Sequence, residues 1–143
     1  MKDHADHPVR QLEPQNLWNR FADLNAIPRP SKHEERVVEW LHQWASEKGL
    51  QSLQDEVGNV LIKKNATPGM ENRKTVVLQS HVDMVCQKNE ATDFDFMTEG
   101  IRMVVDGDWV RADGTTLGAD NGIGVASILA VLESSDVAHP ALE

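Results

Sequence analysis

Two stretches of this 143-residue chain hold side chains whose types and spacing could do chemistry. In the first, the apolar run Thr75-Val76-Val77-Leu78 leads to His81-Val82-Asp83. Side chains at i and i+2 of an extended segment point the same way, so His81 and Asp83 can meet. An imidazole held through one nitrogen by a carboxylate is a good zinc ligand, because the carboxylate fixes its tautomer and raises its basicity. The same two residues would also serve as an ion pair at a polar strand end. In the second stretch, Thr115-Thr116-Leu117-Gly118-Ala119-Asp120-Asn121-Gly122-Ile123-Gly124, three glycines frame an Asp-Asn pair ahead of an apolar run. Asp120 suits a metal ion. Asp120 or Asn121 equally suits the start of a helix, although a cap alone does not require glycines at 118, 122 and 124. The segment from Gly122 to Ser127 loosely matches a dinucleotide-binding loop. No hydrophobic strand runs into its first glycine, however, and Asp120 would repel a pyrophosphate at the helix N-terminus.

The elements that must position these residues are legible as patterns. Leu17, Phe21 and Leu24, with Trp18 alongside, predict an amphipathic helix over about 13–26. Ile27-Pro28-Arg29-Pro30 then leaves helical geometry. Ser31 with Glu34 forms a capping-box pattern, and a second helix buries Val37, Val38, Leu41, Trp44 and Ala45 before stopping at Gly49. Val60-Leu61-Ile62 is a predicted strand. Thr75–Leu78 is another, continuous rather than alternating, as in a strand buried on both faces. Residues 101–105 and 109–111 flank Asp106-Gly107-Asp108, a hairpin signal. An apolar helix covers about 123–132. This order predicts an α/β domain with a mixed sheet flanked by helices.

Composition narrows the function classes. The net charge of −9 lacks the basic footprint that nucleic acid requires. No run is long and apolar enough to span a membrane, and the N-terminus has no signal-peptide core, so a cytoplasmic location is expected. Cys86 is the only cysteine, which rules out an internal disulfide and a cysteine-based zinc finger. The thiol is expected to be an inert packed residue. His4, His7, His33, His42 and His139 are expected as solvated surface residues, Glu34 and Glu35 as first-turn helix charges, and Asp93, Asp95 and Glu99 as a solvated acidic loop.

Taken together, "SHVDMV" and "TTLGADNGIGVA" resemble the first two metal motifs of the M20 family of zinc aminopeptidases, in particular its aminoacyl-histidine (Xaa-His) dipeptidases. "IPRPSKHEE", "DEVGNVLIKK" and "HPALE" extend the resemblance from about Leu12 to the last residue. It implies a zinc-exopeptidase catalytic domain, of which 1–143 is the N-terminal portion. The rest of that domain, with a general-base Glu, further metal ligands and a lid or dimerisation domain, is expected outside these residues. It further implies His81 as a ligand, Asp83 as its orienting partner in the catalytic site, and Asp120 as a bridge between two Zn2+ ions, with Mn2+ or Co2+ as alternatives. A cis peptide between Asp120 and Asn121 is implied as well. The implied substrates are short peptides, chiefly Xaa-His dipeptides, and the complete protein is expected to be a homodimer. The competing expectation is an inactive chain that binds metal weakly or associates through an uncovered sheet edge.

Overall fold

The computed structural model describes residues 7–143, so His4 lies outside the described residues. A short 3-10 helix (Pro8–Gln11) leads into α1 (Gln15–Ala26) and α2 (Glu35–Glu47). The hairpin of β1 (Gln51–Gln54) and β2 (Val60–Lys63) follows, then the hairpin of β3 (Met103–Asp106) and β4 (Trp109–Ala112), and last α3 (Ala119–Glu133).

The helices form where their apolar spacing predicts. α1 buries Phe21, Ala22, Leu24 and Asn25, and it ends as Pro28 holds Ile27 in an extended conformation. α2 turns Val37, Leu41, Trp44 and Ala45 inward. Gly49, at φ +69°, closes it with a left-handed residue. α3 is apolar on every side and packs against α1; Val125, Ala126, Leu129 and Leu132 join Phe21, Leu24, Val37, Leu41 and Trp44 in one core.

The predicted capping box at the start of α2 does not form. Glu34 takes the cap position without a side-chain cap, and its carboxylate instead accepts from the Lys32 amide at 2.6 Å. The Ser31 hydroxyl is drawn away to the Asp83 carboxylate, a charged and therefore stronger acceptor.

The mixed sheet is present in outline. β1 and β2 pair antiparallel, with Gln51 opposite Lys63 and Gln54 opposite Val60. The line of β2 continues through Lys64, which bridges antiparallel to Leu142, and Leu142 in turn bridges parallel to Val76. Thr75–Leu78 departs from expectation, because it is not a strand buried on both faces. Among the described residues its backbone pairs only with 141–143, through Val76 to Ala141 and Leu78 to Glu143. Thr75, Val76 and Val77 are accordingly exposed. The β3–β4 hairpin turns at Gly107-Asp108 as predicted, with Gly107 at φ +58°. No helix among the described residues is long and apolar enough to cross a membrane.

Candidate metal centre

The extended segment that carries His81 runs past the start of α3, and this crossing assembles the site. His81 Nδ1 lies 2.9 Å from Asp83 Oδ1, the i,i+2 contact expected from the sequence. On its other side, His81 Nε2 lies 3.1 Å from Asp120 Oδ1, 39 residues further along the chain. The structure thus brings all three predicted residues together. Asp120 projects into solvent, its side chain 98% exposed, whereas Asp83 is half-buried. The Ser31 hydroxyl holds the Asp83 carboxyl below its usual range; burial opposes that shift and His81 adds to it. For His81, burial pulls the pKa down, but hydrogen bonds with Asp120 and Asp83 outweigh it and the net shift is upward.

The glycine loop is shaped by what lies against it. Gly118 sits at φ +74°, and a Cβ there would come within 2.6 Å of Arg29 Nη2 and 3.0 Å of Met84 Sδ. At Gly122 a Cβ would approach the same guanidinium nitrogen to 2.7 Å. A Cβ on Gly124 would collide with the Asn121 side chain and lie 2.8 Å from Ser80 Oγ. The Asp120–Asn121 peptide is cis, as the resemblance implies. Asn121 Oδ1 accepts from the Gly124 amide at 3.1 Å, so Asn121 caps the regular part of α3. Asp120 is thereby released from the capping role that the sequence left open.

Three further residues belong to this arrangement, and none carries a site role in the sequence pattern, where Ser31 reads only as a helix cap. Ser31 binds the far oxygen of Asp83. Ser80 donates to the Asn121 carbonyl at 3.1 Å. Arg29 is buried under the loop and donates to the Val82 carbonyl at 2.8 Å and the Gly118 carbonyl at 2.9 Å. Burial lowers its pKa to about 10, with Asp83 opposing the shift. The only signal in the sequence was its place between two prolines.

The other histidines have local duties. His33 is exposed, as expected. His42 instead ties α2 to β1 through Ser52 and Gln54. His7 accepts from the Val9 amide and reaches the Met103 carbonyl, which corrects the expectation of a solvated residue. His139 is buried, because its backbone is locked to Thr67 and its Nδ1 to the Pro140 carbonyl. Burial raises the Cys86 pKa, with Arg29 opposing, as befits an inert thiol.

The donor chemistry of His81 and Asp120 suits a divalent cation. With Nδ1 donating to Asp83, Nε2 presents a lone pair to a carboxylate oxygen, and two electron-rich atoms at 3.1 Å need a proton or a cation between them. The pair fits as two ligands and not as a full shell. Among the described residues no three His, Cys, Asp or Glu side chains are grouped to hold a metal. An open cleft of about 1170 Å³ adjoins the site, lined by apolar side chains of α2, β2 and α3 and by residues 77–83.

Over 94% of its length the chain is 58% identical to the cytosol non-specific dipeptidase of Escherichia coli (strain K12). The resemblance to the M20 dipeptidases holds. The fold agrees: the aminoacylhistidine dipeptidase from Vibrio alginolyticus superposes on 97% of the chain with a TM-score of 0.93 and 52% identity. A tripeptidase from Staphylococcus aureus covers 92% with a TM-score of 0.71 at 24% identity, a likeness of fold alone. No family model matches the chain. The chain spans 28% of the length of both M20-type dipeptidases and 35% of the tripeptidase. Over the described residues the chain therefore shares the fold of the corresponding part of these peptidases.

Proposed function

We propose that His81 and Asp120 are the first two ligands of a two-zinc peptidase centre, and that the whole protein hydrolyses short peptides, chiefly dipeptides ending in histidine. The observation that carries this reading is the convergence of His81 Nε2 and Asp120 Oδ1 at 3.1 Å, with Asp83 fixed behind the imidazole. His81 would hold one ion through Nε2. Asp83, itself held by Ser31, would orient the ring and keep its lone pair outward. Asp120 would bridge both ions, since its second oxygen takes no hydrogen bond among the described residues and the side chain is fully open. Bound zinc supplies Lewis-acid polarisation of the scissile carbonyl and activation of a water; manganese or cobalt would accept the same donors. Residues 1–143 form the N-terminal portion of the catalytic domain in this reading, and the cytosol dipeptidase relative supports a cytoplasmic location.

A zinc catalytic site takes about three protein ligands plus water, and two donors converge here. The 143-residue polypeptide alone is therefore expected to bind at most one zinc, weakly, and to leave Xaa-His dipeptides intact. Titration calorimetry with zinc on the wild type, H81A and D120A tests this, alongside a chromatographic assay of dipeptide cleavage. Weak uptake abolished by either substitution supports the site. Uptake that survives D120A, two tightly held zincs per chain, or metal-dependent turnover would overturn this account of the ligands.

A further inference from the structure

The two donors of the candidate centre stand on backbone segments that pair further along, at Lys88 and Thr115, and nearer the donors one buried side chain spans the gap between them. Arg29, 1% exposed, places Nη1 2.8 Å from the carbonyl of Val82, the residue between His81 and Asp83. Its Nη2 lies 2.9 Å from the carbonyl of Gly118, two residues before Asp120, and 2.9 Å from Asn25 Oδ1. Asn25 is itself buried and donates from Nδ2 to the Leu117 carbonyl at 3.1 Å, gripping the same loop one residue earlier. The backbone around Arg29 is tied to the His81 segment as well, by Met84 N to Arg29 O and Ser31 N to Met84 O. We propose that Arg29, braced by Asn25, is a positioning residue that sets His81 Nε2 opposite Asp120 Oδ1 and so prepares the site for its cation.

The chemistry favours arginine at this point. A planar fork can serve two carbonyls and an amide oxygen in fixed directions, whereas a lysine ammonium is a point charge on a flexible stem. The glycine loop is fitted to that fork, since a Cβ at Gly118 or Gly122 would intrude on Nη2. A buried cation whose hydrogen bonds all go to neutral oxygens is costly as a mere stabiliser, even with the Asp83 carboxylate nearby. Its orientation across the two donor segments gives it a use. The consequence for metal binding rests on the proposed centre; the spacing of the donors does not.

The test compares the wild type with R29K, N25A and V37A, the last a buried apolar substitution in α2 that removes no hydrogen bond to either donor segment. Crystal structures read the separation of His81 Nε2 and Asp120 Oδ1, and zinc calorimetry reads affinity. In R29K the separation should open beyond hydrogen-bond range and affinity should fall by about tenfold or more, as for other groups that orient ligands. V37A should keep both readings. N25A should move both in the same direction by less, and it decides the matter if R29K does not fold. A wild-type contact and affinity in R29K, or an equal loss in V37A, would overturn the proposal. Should the wild type take up no zinc, the metal reading fails, and the separation measured in R29K still decides the role of Arg29.

Discussion

The two sides of the glycine loop are built differently. Beneath it, Arg29, Asn25, Phe21 and Met84 are buried, and hydrogen bonds from Arg29 and Asn25 reach Leu117, Gly118 and Val82. Beyond the His81 segment, Val77 is 65% exposed and apolar residues of β2 and α3 line an open cleft. The floor therefore fixes where the donors stand, while the cleft side presents surface still able to receive further structure. A site divided in this way predicts that substitutions on the floor disturb stability and donor geometry together, and that those on the cleft side disturb neither.

The largest effect is expected from Arg29→Met. It strips the carbonyls of Val82 and Gly118 and the Asn25 amide oxygen of their donor in a buried place, a loss of about 4 kcal/mol at 1–3 kcal/mol per orphaned group. Urea unfolding measures it, and a loss below about 1 kcal/mol would show that water readily replaces the guanidinium there. Next comes a pair of glycines. Gly118→Ala combines a left-handed φ with intrusion on Arg29, at a cost of about 2–3 kcal/mol. Gly107→Ala, also at positive φ but with nothing within 4 Å of its Cβ, should cost only about 1 kcal/mol. Equal costs at the two positions would mean that Arg29 gives way, and the floor would be softer than its hydrogen bonds indicate.

Why the floor escaped the sequence and the donors did not follows from distance along the chain. His81 and Asp83 are neighbours by the geometry of any extended segment, and the density of glycines around Asp120 announced a close approach. What approaches is Arg29, whose acceptors lie 53 and 89 residues away, with no periodicity to betray it. Ser31 misled for the same reason. Its local pattern with Glu34 was sound, yet a carboxylate 52 residues on outcompeted it. The unbroken run Thr75–Leu78 has the pattern of a strand covered on both faces, but burial depends on neighbours that a local pattern cannot supply. The helices and the β3–β4 hairpin came through well, since their signals are local, whereas the polar, mostly exposed β1 carries no apolar pattern that would announce a strand.

On the cleft side, Val77→Thr should alter stability by no more than about 0.5 kcal/mol, as for other exposed positions. Denaturation at several protein concentrations checks this. A larger loss that grows with concentration would reveal that copies of the chain cover the face in solution, and the contrast with the floor would then disappear.

The smallest effect should come from the β1–β2 turn that borders the same cleft. Asp55 accepts from the amides of Val57 and Asn59 and from the Asn59 side chain. The Asn59 side chain and amide lead in holding the carboxyl below 3.8. A carboxyl depressed in the folded state adds stability above its unfolded pKa and gives it up as the pH falls through the folded value. Asp55→Asn keeps an acceptor for both amides but loses the charge and the acceptor for the Asn59 side chain. Its urea midpoint should therefore sit slightly below the wild type at pH 7, and the two should converge as the pH drops below 3.8. A gap that widens on acidification would reverse the sign, and the turn would then be held by the shape of the side chain rather than by its charge.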